Sequence, residues 1–221
     1  MSDLALAHPI HCGTVICLTE AIIMGLAHSA KVLVTGTPKI LTGGKPGARA
    51  GDEGLAFANP SLQGPDDIEI HADSFKDDQP IPVLHSADGG SVSPSLHWST
   101  APAGTQSWAL VVEDPDAPLP KPFVHWLVYN IAPSIMSLPA ALGTDAQLPN
   151  PPIKQGKNSA LKTGFAGCAP PKGDSPHRYF FQIFALDTSL DIGAGAGRSE
   201  LLGAMEGHVL ARGKLIGTYE R

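Results

Sequence analysis

The chain has 221 residues, with 15 Lys and Arg against 21 Asp and Glu, a formal net charge of -6. That balance argues against a nucleic-acid-binding surface, which needs an excess of cations to meet phosphate. Hydrophobic residues at 43% and charged residues at 16% exclude a disordered chain, and 24 Gly with 21 Pro argue against a helical bundle and for short strands joined by turns.

In chain order, residues 1–65 form an N-terminal extension. A helix is predicted over about residues 18–33, where Ile22, Ile23, Leu26 and Leu33 could pack on the domain or on a second copy, giving a homodimer. A flexible linker, Thr35–Asp52, follows. Val15 to Ala27 has the look of a weak export signal, but Glu20 interrupts it and the first basic residue is Lys31. No run of 18 apolar residues predicts a membrane span. Gly44-Lys45 imitates the end of a phosphate loop, but Lys39 and Pro46 break the pattern. Cys12 and Cys17 stand in a C-x4-C without a second pair, and with Cys168 they read as reduced thiols of a cytoplasmic protein, with no metal site.

From Asp66 to the end the texture is that of one domain, residues 66–221. Ile68 to His71 alternates like a strand with one wet face, and Ser95 to Trp98 is a second short strand. Trp108 to Val112 is a continuous apolar run suited to a strand buried on both faces. Phe123 to Ile131 and Arg178 to Leu186 are two more strands. A late helix is predicted from an N-cap at Ser199, through Leu202, Met205 and Val209, to Arg212 in its last turn and a cap at Gly213. Lys214 to Tyr219 returns to strand. Such an arrangement points to an antiparallel sandwich.

Three places could carry chemistry. Asp114-Pro115-Asp116-Ala117-Pro118 follows the buried run, and its two carboxylates project to one side if the chain stays extended. An Asp pair there is also ordinary turn chemistry. His125 lies within an apolar strand, where alternation places it with Phe123 and Leu127 and opposite Trp126 and Val128. It is either a satisfied core histidine or a ring facing a pocket. His177 and Tyr179 follow the proline-bounded loop 167–176 and point one way, with Arg178 pointing the other.

Taken in order, D-P-D-A-P, then His125-Trp126, then Pro170-Pro171-Lys172-Gly173 and His177-Arg178-Tyr179 resemble the phosphatidylethanolamine-binding protein family, also called Raf-kinase-inhibitor proteins. Ser93-Pro94-Ser95-Leu96-His97-Trp98, Ala101 to Thr105 and Trp126 to Ile131 resemble its bacterial branch. The resemblance covers residues 66–221 and leaves residues 1–65 outside. It implies a mainly β sandwich of two antiparallel sheets with a few peripheral helices, and one small anion-binding pocket. Carried over position by position, the pocket falls on Asp114, Asp116, His125, His177 and Tyr179, and the Ala117–Pro118 bond is expected to be cis. The family often has Gly before the Pro-Pro pair; here Ala169 takes that place, beside Cys168.

The function expected from this is binding of a phosphate-like or carboxylate head group without catalysis, in a regulatory role and with no cofactor. The histidines and Tyr179 would donate to the anion while the aspartates orient the imidazoles. Two alternatives stay open. One is an inhibitor of a protein kinase or protease acting through loops around the pocket. The other is a hydrolase of a small phosphorylated or acyl substrate, for which no G-x-S-x-G or H-E-x-x-H motif is present.

Overall fold

The computed structural model describes residues 48–221. The predicted helix at 18–33 lies outside the described residues, as does most of the predicted linker. Ten strands and one α-helix follow: β1 (Ile70–Ala72), β2 (Gln79–Pro80), β3 (Leu96–Trp98), β4 (Ser107–Asp114), β5 (Phe123–Ile131), β6 (Ser137–Leu138), β7 (Gln147–Pro149), β8 (Pro152–Gln155), β9 (His177–Leu186), α1 (Arg198–Met205) and β10 (Val209–Tyr219). The small sheet runs β1-β3-β6 and the large one β2-β10-β9-β4-β5-β8-β7. Pairing is antiparallel except between β2 and β10. The expected mainly β, two-sheet architecture is therefore present.

Strand β4 is buried along its whole length, because each of its faces meets a separate apolar layer. Trp108, Leu110 and Val112 face the small sheet, against Leu96, Trp98 and Leu138. Ala109 and Val111 face outward, where Leu201, Leu202 and Met205 of α1 cover them together with Ala56 and Leu62. Residues 48–65 thus belong to the compact unit, and the boundary expected at residue 66 falls inside it. Three single turns of 3-10 helix, Asp52–Gly54, Ala56–Ala58 and Pro60–Leu62, lay this segment over the outer face.

Polar groups fix the segment in place. Glu113, fully buried on the outer face of β4, accepts from Ala56 N (2.8 Å) and Gln182 Nε2 (2.9 Å) and pairs with Arg198. Gln182 Oε1 in turn accepts from Phe57 N at 2.7 Å. Arg212 donates to Asp66 and to the carbonyls of Phe57 and Leu62. A buried carboxylate needs this full set of partners, since leaving one unmet costs the desolvation of the group.

The late helix departs from expectation. It spans Arg198–Met205 with Gly197 at its N-cap and no side-chain cap. Val209, Arg212 and Gly213 belong to β10. The 3–4 spacing of Leu202, Met205 and Val209 straddles a helix and the strand after it. Gly213 is no helix cap: a Cβ there would stand 1.8 Å from Ile68 O, so its hydrogen permits the close approach of two backbones.

Leu62→Ala should lower unfolding stability by about 2–5 kcal/mol in urea titrations, the usual cost of emptying a buried leucine site. Gly213→Ala should be worse tolerated, because backbone rather than side chain must move. Wild-type stability in Leu62→Ala would show that the outer layer is not part of the cooperative unit, and wild-type stability in Gly213→Ala would show that β10 does not approach Ile68 this closely.

Candidate functional site

Asp114 ends β4 with its carboxylate on the inner face. Its Oδ1 accepts from Asp116 N (2.8 Å) and Ala117 N (3.0 Å), closing the turn that follows, and its Oδ2 faces His177 Nδ1 at 2.8 Å. A carboxylate only accepts, so Nδ1 of His177 carries the proton in that bond. The expected cis bond at Pro118 is not found: Ala117–Pro118 is trans, and among the described residues the cis bond is Asn150–Pro151. The two amide donors to Asp114 aim the carboxylate inward, and Leu119 N to Ala117 O (2.6 Å) tightens the chain beyond it, with the trans bond in place.

His125 is re-aimed by a β-bulge. In the pairing of β4 with β5, Val112 meets Trp126 but the next residue, Glu113, meets Val124, so His125 is an extra residue on β5. Alternation restarts there. Val124 and Leu127 both face the outer core, whereas Trp126 and Val128 face the inner one. His125 therefore keeps company with Phe123 as expected, but Leu127 lies on the opposite face; bulges near sites often turn a side chain in this way. The ring is held between Phe123 and Tyr179, with centroids at 4.8 and 5.0 Å. Ala166 clamps it: Ala166 N donates to His125 O (2.8 Å), and His125 Nδ1 donates to Ala166 O (2.7 Å). Burial pushes the imidazole below the usual histidine range. The Ala166 carbonyl and Asp114 offset this only in part, and the neighbouring His177 adds to it.

Asp114, His125 and His177 line one cavity of about 310 Å³, with Ala117, Pro118, Leu119, Phe123, Ala166, Gly167, Ala169 and Pro171 as the other walls. Gly167 is forced at its position, since a Cβ would press on Ser91 Oγ at 2.5 Å and on the backbone of Ser86 and Ala87. Ala169 forms part of the wall, while Cys168 is buried and its thiol is pushed up by burial.

Two expected pocket residues stand elsewhere. The Asp116 carboxylate is engaged by Arg178, which donates from Nε (2.9 Å), Nη2 (2.8 Å) and its backbone N (2.9 Å). Burial alone would raise this carboxyl, but the Arg178 bonds and charge, with His177, bring it below the ordinary aspartate range. Asp116 thus orients a guanidinium and not an imidazole. Tyr179 is buried behind His125 and is not a lining residue. Burial, then Cys168 and Asp114, push its phenol up, and its hydroxyl has no partner among the described residues.

Two residues that sequence reasoning passed over stand at the other edge of His177. Asp174 Oδ2 lies 3.2 Å from His177 Nε2, and Arg49 Nη1 lies 3.4 Å from the same nitrogen. Arg49 Nη2 also donates to Asp174 Oδ2 at 2.6 Å, and its Nη1 donates to Asp116 O. Hydrogen bonds from His177 and then Arg49 hold the Asp174 carboxyl below its usual range. No spacing rule links Arg49 to a partner 125 positions away.

The small sheet packs on the large one as a β-sandwich, and Asp114, His125 and His177 share one of its cavities. Residues 71–220 match the family model described as phosphatidylethanolamine-binding protein, and the chain belongs to that family. It is 42% identical over 154 residues to a UPF0098 protein of Methanothermobacter thermautotrophicus, covering 70% of this chain and 98% of that one. A UPF0098 protein of Chlamydia muridarum is 37% identical, covering 70% and 99%. Among solved structures, a phosphatidylethanolamine-binding protein homologue from Chlamydia trachomatis is 35% identical with a TM-score of 0.63, covering 71% of this chain and 99% of that one. YbcL of E. coli is 29% identical with the same TM-score of 0.63, covering 70% and 98%. Arg49 lies outside the family match. No helix among the described residues is long and apolar enough to cross a membrane.

His125 has a signed effect on stability. Its folded-state pKa is lowered, so the unfolded chain takes up the proton first as the pH falls. Its contribution is complete above the unfolded value of about 6.5 and is lost as the pH drops from there through the folded value. Urea unfolding of wild type and His125→Gln from pH 8 to pH 5 should show the stability gap shrinking in acid. Parallel curves would show that the ring is not held neutral.

Proposed function

We propose that this chain is a binding protein whose cavity takes a small ligand with an acidic head group, a phosphate monoester or a carboxylate, on an apolar body. The observation that carries this reading is the convergence of Asp114, His125 and His177, from β4, β5 and β9, on a cavity otherwise walled by Ala, Pro, Leu, Phe and Gly. Apolar walls with a few convergent polar groups suit a ligand fixed by its head and buried by its body.

The tautomer of His125 shapes the head group. With Nδ1–H given to Ala166 O, the neutral ring offers a lone pair on Nε2. An acidic O–H donates to that lone pair. A fully ionised head instead brings a proton onto the ring, which then donates. Binding of a permanent anion is therefore linked to proton uptake, and its affinity climbs as the pH falls.

Calorimetric titration with sulfate, whose charge is constant over the range, tests this. Affinity should rise from pH 8 to pH 6, by at most about tenfold per pH unit for one proton taken up. The profile should flatten in His125→Gln. Failure of sulfate, phosphate and phosphoethanolamine alike to bind wild-type protein would overturn the reading.

A further inference from the structure

We infer that Arg49, which precedes the family match, makes the cavity acceptable to an anion by neutralising Asp174 at the edge of His177. The inference rests on the acidic-head-group reading above and names the residue that reading requires.

The charges around the cavity set the problem. Asp114 is in the wall itself, and His125 is held neutral. Asp116 is matched by Arg178. Asp174 brings a further negative charge to within 3.2 Å of His177, a lining residue. Without another cation, an incoming anion meets two carboxylates, Asp114 and Asp174, with only His177 between them. Like charges this close oppose binding, and the low dielectric of a mostly apolar cavity strengthens the opposition. Arg49 removes half of the problem. Its Nη2 holds the same Asp174 oxygen that faces His177, at 2.6 Å, and its Nη1 stands 3.4 Å from the imidazole.

The placement of Arg49 is built rather than incidental. Gly51 N donates to Pro115 O at 3.2 Å, tying the segment to the turn that holds Asp114. Asp52 pairs with Arg178 at 2.8 Å, the guanidinium that also holds Asp116. Downstream, Ala56 and Phe57 are anchored on Glu113 and Gln182. A segment fixed at these points delivers one guanidinium to one corner of the site. The side chains of Arg49 and Asp174 are 36% and 25% exposed, so their pairing adds little to stability and substitutions there should leave the fold intact.

The test is calorimetric titration of the full chain with phosphate and with phosphoethanolamine at pH 7 and low ionic strength. Wild type would be compared with Arg49→Gln, Asp174→Asn and the double variant, after thermal melts confirm that each is folded. Arg49→Gln should weaken both probes about tenfold, the scale of losing one close charge at a binding site. Asp174→Asn should bind at least as tightly as wild type. The double variant should return to within about twofold of wild type, because no carboxylate is then left to neutralise. A merely structural role for Arg49 would not be rescued by removing Asp174. Unchanged binding in Arg49→Gln, or a loss that the double variant keeps, would overturn the inference. Wild type binding neither probe is a different result, and it would overturn the acidic-head-group reading itself.

Discussion

Two neighbouring carboxylates at the end of β4 organise both sides of the large sheet. The pleat sends Asp114 to the inner face and Glu113 to the outer one. Asp114 joins the turn after β4 to the first residue of β9 through His177. Glu113 joins β9, α1 and the segment before the family match through Gln182, Arg198 and Ala56. Each acid is nearly or fully buried, so each needs its partners, and the partners are the elements that must come together. The site and the outer layer are thus two consequences of one strand end.

The bulge at His125 does for β5 what the pleat does for β4. A regular strand would leave His125 and Trp126 on opposite faces. The extra residue allows the imidazole to look into the cavity while Trp126 fills the inner core and Val124 the outer. The cost of the disturbed ladder is offset locally by the Ala166 clamp, which supplies a backbone donor and a backbone acceptor to the same residue. The loop carrying Ala166 also contributes Gly167, Ala169 and Pro171 to the cavity wall, so aiming the histidine and shaping the cavity are one structural event.

Continuous apolar runs made β4, β5 and β9 readable, because a strand buried on both faces leaves an unbroken signature in sequence. The short strands β2, β6, β7 and β8 left none: they span two to four residues, and three of them contain proline. Arg212 was legible as a charged residue but not as a strand residue, since its partners Phe57 and Leu62 lie some 150 positions away. Long separations also hid Glu113, which lies 57, 69 and 85 positions from Ala56, Gln182 and Arg198, and Arg49, which lies 125 positions from Asp174. The motif order pointed to Asp114, His125 and His177, which the fold brings to one cavity. It could not show that Asp116 would be drawn off by Arg178, because the choice between an imidazole and a guanidinium partner is made by the three-dimensional turn. Nor could alternation foresee the bulge, which leaves no mark in the pattern Phe123-Val124-His125-Trp126.

The layer formed by residues 48–65 has a consequence for synthesis. These residues leave the ribosome before the rest of the described chain, yet their anchors at Gln182, Arg198 and Arg212 emerge last. Phe57 and Leu62 must therefore wait, unpaired, through the translation of nearly the whole sandwich, and can dock only when β9, α1 and β10 exist. During that interval the outer face of β4 and β5 is bare as well. The chain spends its nascent life with two complementary apolar surfaces exposed at once, a state in which chaperone capture or pairing between neighbouring polysomal chains competes with correct closure.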